Sequence, residues 1–314
     1  MKILVTGAAG FIGSHVTRAF LQEGFWVRGL DDLSTGHARN LPENENNWDF
    51  IEGDIRSAQI CSQAVHGMDA IVHLAGRNSV PRSIRDPKSA MEVNVMGGFN
   101  LLEAARQHGC ARFIHASSSS VYGDNPILPK CESHIRHPLS PYAASKASFE
   151  HVATAWAKSW GMHTVGLRFF NVFGARQDPD SPYAAVIPLF IQAAQTKTRP
   201  TIYGKGKRTR DFTHVSNVVH GIRLSLDAPE EASGEVFNIA CGGRISLLEL
   251  WDAIASATDS KQKPIFAEPR QGDMPHSQAS IHKARTMLGY TPVTDFDTGI
   301  RKTVAWYQSQ GKKS

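Results

Sequence analysis

Lys2-Ile3-Leu4-Val5-Thr6-Gly7-Ala8-Ala9-Gly10-Phe11-Ile12-Gly13 is a β-branched apolar run meeting glycines at every third position, and a helical pattern over 14–23, ended by Gly24, follows it. It reads as strand, glycine loop and helix. Bare backbone at Gly7, Gly10 and Gly13 can approach a pyrophosphate, and the helix start at Phe11 and Ile12 offers free amides and partial positive charge. A second apolar run over 25–30 ends at Asp31-Asp32, with Asp31 18 residues after the last glycine. A carboxylate there accepts hydrogen bonds from adenosine ribose hydroxyls and repels a 2′-phosphate, which favours NAD over NADP.

Outward from this unit the pattern repeats. Apolar runs at 49–52, 70–74, 112–116 and 163–169 read as further strands with helical segments between them. Alternation of this kind over some 170 residues means an α/β fold with a parallel, doubly wound sheet of the Rossmann type. Asp54-Ile55 and His73-Leu74-Ala75-Gly76 end two of the strands, where open sheets bind ligands; Asp54 also suits a helix cap, and His73 reads as a core histidine without chemistry. Two helices have clear ends: Asp86-Pro87 to Gly109, and Ser140-Pro141 to Gly161. After Asn171 the texture turns polar and turn-rich, then apolar over 186–195, then basic over 204–210. We therefore expect a nucleotide-binding domain over 1–170 and a second, smaller, mixed α/β substrate domain mainly over 171–314. A helix over 212–227 and a strand over 236–240 could return to the main sheet.

The 314 residues include 41% hydrophobic and 20% charged side chains, enough apolar material for a full core and no case for disorder. The net charge of +5 is small and dispersed, which argues against nucleic acid as a partner; an anionic small substrate explains it as well. Cys61, Cys110, Cys131 and Cys241 form no CxxC pair, so no metal site is expected. With no signal-peptide pattern and no run of about 18 apolar residues, the expectation is a soluble, cytoplasmic protein with no membrane partner.

The chemistry concentrates in two segments. The strand over 112–116 runs into Ser117-Ser118-Ser119-Ser120-Val121-Tyr122-Gly123, and Tyr142-Ala143-Ala144-Ser145-Lys146 opens the helix that follows. Tyrosine and lysine four apart share a helix face. An ammonium near the phenol favours phenolate; moving its pKa from about 10 to about 7 takes roughly 4 kcal/mol of differential interaction. A serine hydroxyl at the sheet edge can share the same substrate oxygen and relay a proton.

With these residues in place the sequence resembles the extended short-chain dehydrogenase/reductase family, and within it the NAD-dependent sugar-nucleotide 4-epimerases. TGAAGFIGSH (6–15), GDI (53–55), HLAG (73–76), SVPRSIRDP (79–87), SSSSVYGD (117–124), SPYAASK (140–146), LRFFNVFG (167–174), TRDF (209–212) and RQGD (270–273) occur in family order. The resemblance implies NAD as cofactor, with contacts from Ser34, Thr35 and Gly36 after the second strand, and from Asn94 and Phe170. It implies Tyr142, Lys146 and Ser118 as catalytic residues, with Ser119 and Ser120 beside the sugar. Relatives that dehydrate the sugar carry an Asp-Glu pair where this chain has Ser119 and Ser120, and decarboxylases carry a glutamate; serines leave oxidation and re-reduction at one carbon. Tyr142 would take the proton of the 4-hydroxyl, and NAD, regenerated each turnover, would stay bound. A homodimer, packed through the 87–108 and 141–160 helices, is also implied.

By the same resemblance Asn171 contacts the diphosphate and Ala185 and Val186 flank the uracil, with Tyr203 beside them. Arg210 and Arg270 suit phosphate oxygens, and an aspartate of the Arg210-Asp211-Phe212 or Arg270-Gln271-Gly272-Asp273 motif can accept from ribose hydroxyls. Ser79 and Arg82 should line the sugar pocket, whereas Lys205, Lys207 and Arg208 read as a solvated turn. Ser277 matches a position that gates substrate size in the family, where tyrosine excludes N-acetyl sugars. The expectation is a UDP-N-acetylglucosamine 4-epimerase. UDP-glucose/UDP-galactose and UDP-glucuronate 4-epimerases are the alternatives among enzymes, and a non-catalytic NAD-binding module the alternative outside them.

Overall fold

The computed structural model describes residues 1–43, 45–179, 185–268 and 276–310. The opening run forms β1 (Lys2–Thr6), buried from Ile3 onward as a central parallel strand must be. Helix α1 (Phe11–Gln22) is capped by Gly10, inside the glycine loop, and begins three residues earlier than the periodicity suggests. Then come β2 (Trp26–Asp31), β3 (Trp48–Glu52), α2 (Ala58–Val65) and β4 (Ala70–His73). After α3 (Val80–Arg85), the segment read as one helix over 87–108 is helical throughout: α4 (Pro87–Met91) widens into a π-helical stretch, Glu92–Gly97, and continues as α5 (Gly98–Gln107), with helical backbone at both junctions. β5 (Arg112–Ser118) ends in a 3₁₀ turn, Ser119–Tyr122. α6 (Pro141–Trp160) has the ends its sequence announces: Ser140 accepts from the Ala143 amide, and Gly161 closes it at a left-handed φ of 66°. β6 (His163–Phe169) follows.

In the remainder, short strands pair locally. β7 (Val172–Phe173), α7 (Val186–Gln195), β8 (Thr201–Tyr203), β9 (Thr209–Arg210) and β10 (Thr213–His214) lead into α8 (Val215–Leu226). β11 (Glu235–Ile239), β12 (Ile245–Ser246), α9 (Leu247–Thr258), β13 (Ile265–Ala267), α10 (His282–Leu288) and α11 (Phe296–Gln310) complete the chain. The seven-stranded parallel sheet has the order β11-β6-β5-β4-β1-β2-β3, so the fold is α/β and doubly wound, and β11 returns from the second half to lie beside β6. α8 begins later than the apolar pattern at Phe212 because Thr213 and His214 pair with β7.

Two apolar cores cover the faces of the sheet, one around Val5, Phe20, Val72 and Phe237, the other around Leu4, Ile71, Leu101 and Phe149. A third, around Phe173, Phe190, Phe212, Trp251 and Val304, holds the second half together. No helix among the described residues is long and apolar enough to cross a membrane.

Candidate active site

Strand order reverses between β1 and β4, the switch point at which open parallel sheets present a crevice. Close backbone approach builds that crevice. A Cβ on Gly7, which has φ +72°, would stand 2.8 Å from the Ala75 nitrogen, and one on Gly13 would fall 1.9 Å from the Gly7 oxygen. Any side chain at either position would force the loop away from β4 or from α1. Gly10 caps α1 with no side-chain bond and no acid follows in the first turn. The first amides of α1, at Phe11, Ile12 and Gly13, thus lack intrahelical acceptors and favour an anion.

Asp31 closes β2 with its carboxylate almost buried. Its oxygens accept from the Ala9 and Leu33 amides, each at 2.9 Å, and burial pushes its carboxyl above the ordinary range while those amides pull it down. Gly36 brings the next loop against Ala9 and Asp31. Asp31, Asp32, Ser34 and Thr35 form one wall of a cleft; Asp54, Ile55, Ala75 and Gly76 form the other. Asp54 divides its work, accepting from the Arg56 amide at 2.8 Å and pairing with the Arg56 guanidinium, which holds its carboxyl low. Bare glycine backbone, open helix amides and a carboxylate at the end of β2 fit a dinucleotide.

Deeper in the crevice, Tyr142 and Lys146 lie on one face of α6, both buried. Ser118 stands beside the Tyr142 phenol and favours its ionised form, and the Lys146 ammonium donates to the Ala116 carbonyl at 3.0 Å. β5 thus supplies both partners from its last three residues. Burial pushes the Lys146 ammonium down to about 8, with Glu150 opposing. Against the expectation that Lys146 lowers it, the Tyr142 phenol is held above its ordinary value: burial outweighs the opposing pull of Ser118. Ser120 turns its hydroxyl onto Ser118 Oγ at 2.9 Å, and Ser119 starts the 3₁₀ turn, half-buried.

Two residues expected at the cofactor have partners within the protein. Phe170 is wholly buried with its ring against Tyr122, so it presents no surface to the cleft. Asn94 is almost wholly buried. Its side chain accepts from the Arg77 amide at 2.7 Å and donates to the Arg77 carbonyl at 3.0 Å and to Ser145 at 2.9 Å, locking the loop after β4 to α6. Leu74 is half-buried beside Ala75, and His73 sits in the core with Nδ1 2.8 Å from Thr6 Oγ1.

Of the residues expected at the nucleotide sugar, Ser79 caps α3, accepting from the Arg82 amide at 3.2 Å, and Arg82 is half-buried. Asn171, with φ +37°, donates to the Asp211 carbonyl at 3.2 Å. Ala185 and Val186 form the start of α7, and Tyr203 ends β8. Arg210 lies in β9, and the Ser277 amide donates to Thr209 at 3.0 Å, which brings Ser277 beside Arg210. Lys205 and Lys207 are exposed. Asp211, next to Arg210, is fully buried, its side chain accepting from the Cys241, Gly242 and Ala279 amides at 3.0, 3.0 and 3.1 Å. It ties three segments together. Arg270 and Asp273 lie outside the described residues.

Some residues at the site escape sequence reading. Asn40 donates to the Ala9 carbonyl at 2.9 Å and braces the glycine loop, and Ser83 accepts from the Tyr142 amide at 3.0 Å. Neither belongs to a periodic pattern. Glu150 and Arg168 are buried beneath the cluster; the signal for Glu150 was its place one turn after Lys146.

Residues 3–240 match the model of the NAD dependent epimerase/dehydratase family. The chain belongs to this family. NAD, the cofactor read from the glycine loop and Asp31, is the family's. Within it, a UDP-glucose 4-epimerase of Mycolicibacterium smegmatis is 38% identical over 316 residues, covering 99% of this chain and 100% of that protein. Among solved structures, a UDP-N-acetylglucosamine 4-epimerase from Methanobrevibacter ruminantium, in complex with UDP-N-acetylmuramic acid, is 37% identical with a TM-score of 0.94 and 98% of both chains covered. A Thermus thermophilus UDP-glucose 4-epimerase in complex with NAD is 35% identical with a TM-score of 0.89, covering 98% of this chain and 99% of that one.

Proposed function

We propose that this protein is an NAD-dependent UDP-hexose 4-epimerase whose preferred pair is UDP-N-acetylglucosamine and UDP-N-acetylgalactosamine. The observation that carries the reading is the convergence of Tyr142, Ser118 and Lys146 at the end of β5, with serines rather than carboxylates at 119 and 120. Serines there leave no second acid or base at those positions for elimination.

In this reading residues 1–170, with α8 and β11, hold the dinucleotide, and the rest of 171–314 holds the nucleotide sugar. Gly7, Gly10 and the first amides of α1 bind the pyrophosphate, and Asp31 binds the adenosine ribose. When bound, NAD supplies a hydride acceptor at carbon 4 and, in its oxidised form, a positive charge. Tyr142 takes the proton of the 4-hydroxyl and later returns it. Ser118 bonds the same oxygen, and Lys146 stabilises the phenolate. Asn171, Arg210, Arg270 and Asp273 hold the diphosphate and ribose, Ala185, Val186 and Tyr203 the uracil, and Ser79, Arg82 and Ser277 the sugar.

The choice of N-acetylated substrate rests on Ser277, a small side chain beside β9, and is in line with the similarity to the Methanobrevibacter enzyme. Ser277→Tyr should abolish turnover of UDP-N-acetylglucosamine by steric overlap and spare UDP-glucose, because a blocked volume rejects the larger substrate. Initial rates on the two substrates check this. An unchanged ratio would remove the gate and favour UDP-glucuronate, whose carboxylate Arg82 could meet.

A further inference from the structure

Beneath the cluster lies a charged assembly that the proposed mechanism does not use. Tyr142, Lys146 and Glu150 are spaced by four residues and share one face of α6. Glu150 is 1% exposed, and both of its oxygens are saturated. Oε1 accepts from Ser117 Oγ at 2.5 Å and from Arg168 Nε at 2.8 Å; Oε2 accepts from the Arg168 terminal nitrogen at 2.7 Å and from Arg136 at 3.1 Å. Arg168, itself fully buried, also donates to the Tyr122 hydroxyl at 2.9 Å. A buried ion pair is weak evidence for stability, because a well-packed apolar replacement is often neutral or better. Its position is the informative feature.

Ser117 stands between the two residues of β5 that meet the cluster. Ala116 offers its carbonyl to Lys146, and Ser118 stands beside the Tyr142 phenol. We infer that Glu150 is a positioning residue: through Ser117 it fixes the 116–118 backbone on which the Lys146 and Tyr142 contacts depend, and it places a negative charge one turn below Lys146. The inference rests on the roles proposed above for Tyr142 and Lys146. The charged and titratable groups facing Glu150 are His115 from β5, Arg168 from β6, Arg136 from the segment before α6, and Lys146 on α6 itself. Arg168 and Arg136 are tied to Glu150 by direct bonds, whereas Lys146 feels its charge only through space. Removing that charge therefore lets burial depress the ammonium further.

The test uses the full chain in its NAD-loaded form. Ser117→Ala leaves the Glu150–Arg168 pair intact and cuts only the link to β5; we expect kcat to fall about 10-fold with KM within about two-fold, since small misplacements of catalytic groups act on rate. Ser117→Thr, which keeps the hydroxyl, should restore it. Glu150→Gln should move the alkaline limb of the kcat–pH profile down by more than about half a unit. If Glu150→Gln does not fold, the two Ser117 variants carry the test. An unchanged kcat in Ser117→Ala, a change in KM alone, or no rescue by threonine would overturn the inference. Should the wild-type protein turn over no UDP-hexose, the proposed function fails separately, and the Tyr142 titration, read by ultraviolet difference against Tyr142→Phe, takes the place of kcat. A midpoint unmoved by Ser117→Ala would then overturn the inference.

Discussion

Tyr142 and Lys146 are each held away from their ordinary ionisation by burial, in directions that oppose charge. For Lys146 the sign has a consequence for stability. Its ammonium is depressed to about 8 from an ordinary value of 10.5, so between those pH values the unfolded chain binds a proton that the folded chain does not. Stability contributed by this site therefore rises with pH across that window, and the penalty for a buried charge acts in full below pH 8. Lys146→Met removes the penalty. The variant should be inactive yet melt at or above the wild-type temperature at pH 7, with its advantage shrinking between pH 8 and 10.5. Thermal scans at pH 7 and 10 check this, and a melting point well below wild type at pH 7 would contradict it. Arg168 illustrates the opposite balance: burial lowers its guanidinium, but Glu150 more than compensates and the net shift is upward.

Among the elements, those set by local signals were the most legible. β1, β5, β6 and α6 follow from apolar runs and end signals because burial on both faces and capping are local properties. The π-helical widening within the 87–108 helix was not legible. Glu92–Gly97 widens to a π-helix where the Asn94 carboxamide reaches across to Arg77 and Ser145, and the periodicity of Met91, Val95, Phe99 and Leu102 carries no trace of those partners. π-turns of this kind are common at functional sites. The structural part played by Asp211 was not legible for a similar reason: its sequence neighbours mark a motif, but its acceptors are satisfied by amides 30, 31 and 68 residues away. Asn94→Ala strips the Arg77 amide and carbonyl of their partners and should cost about 1–3 kcal/mol. Urea unfolding should show that loss, together with weaker retention of NAD because the Ala75–Arg77 loop loosens. Unchanged stability and unchanged NAD content would show that the π stretch does not brace the crevice.

For the whole molecule, α5 and α6 carry an aromatic ladder toward the outside. Phe99 meets Trp156 edge-on at 5.4 Å, Trp156 meets Trp160 at 4.7 Å, and Trp160 is half exposed together with Met91 and Met96. A second copy applied to this face would bury it as a four-helix bundle. Light scattering at micromolar concentration should therefore give twice the chain mass, and Trp160→Glu should shift it toward monomer; a wild-type monomer would contradict the proposal. The central claim concerns the reaction, and direct conversion tests it most closely. Purified protein with no added NAD is incubated with UDP-N-acetylglucosamine, and the nucleotide sugars are resolved by anion exchange. The account predicts that UDP-N-acetylgalactosamine appears, and that Tyr142→Phe slows its formation by about 10² to 10⁴, the usual worth of general acid–base catalysis. NAD-loaded protein that leaves UDP-N-acetylglucosamine, UDP-glucose and UDP-glucuronate all unchanged would contradict it.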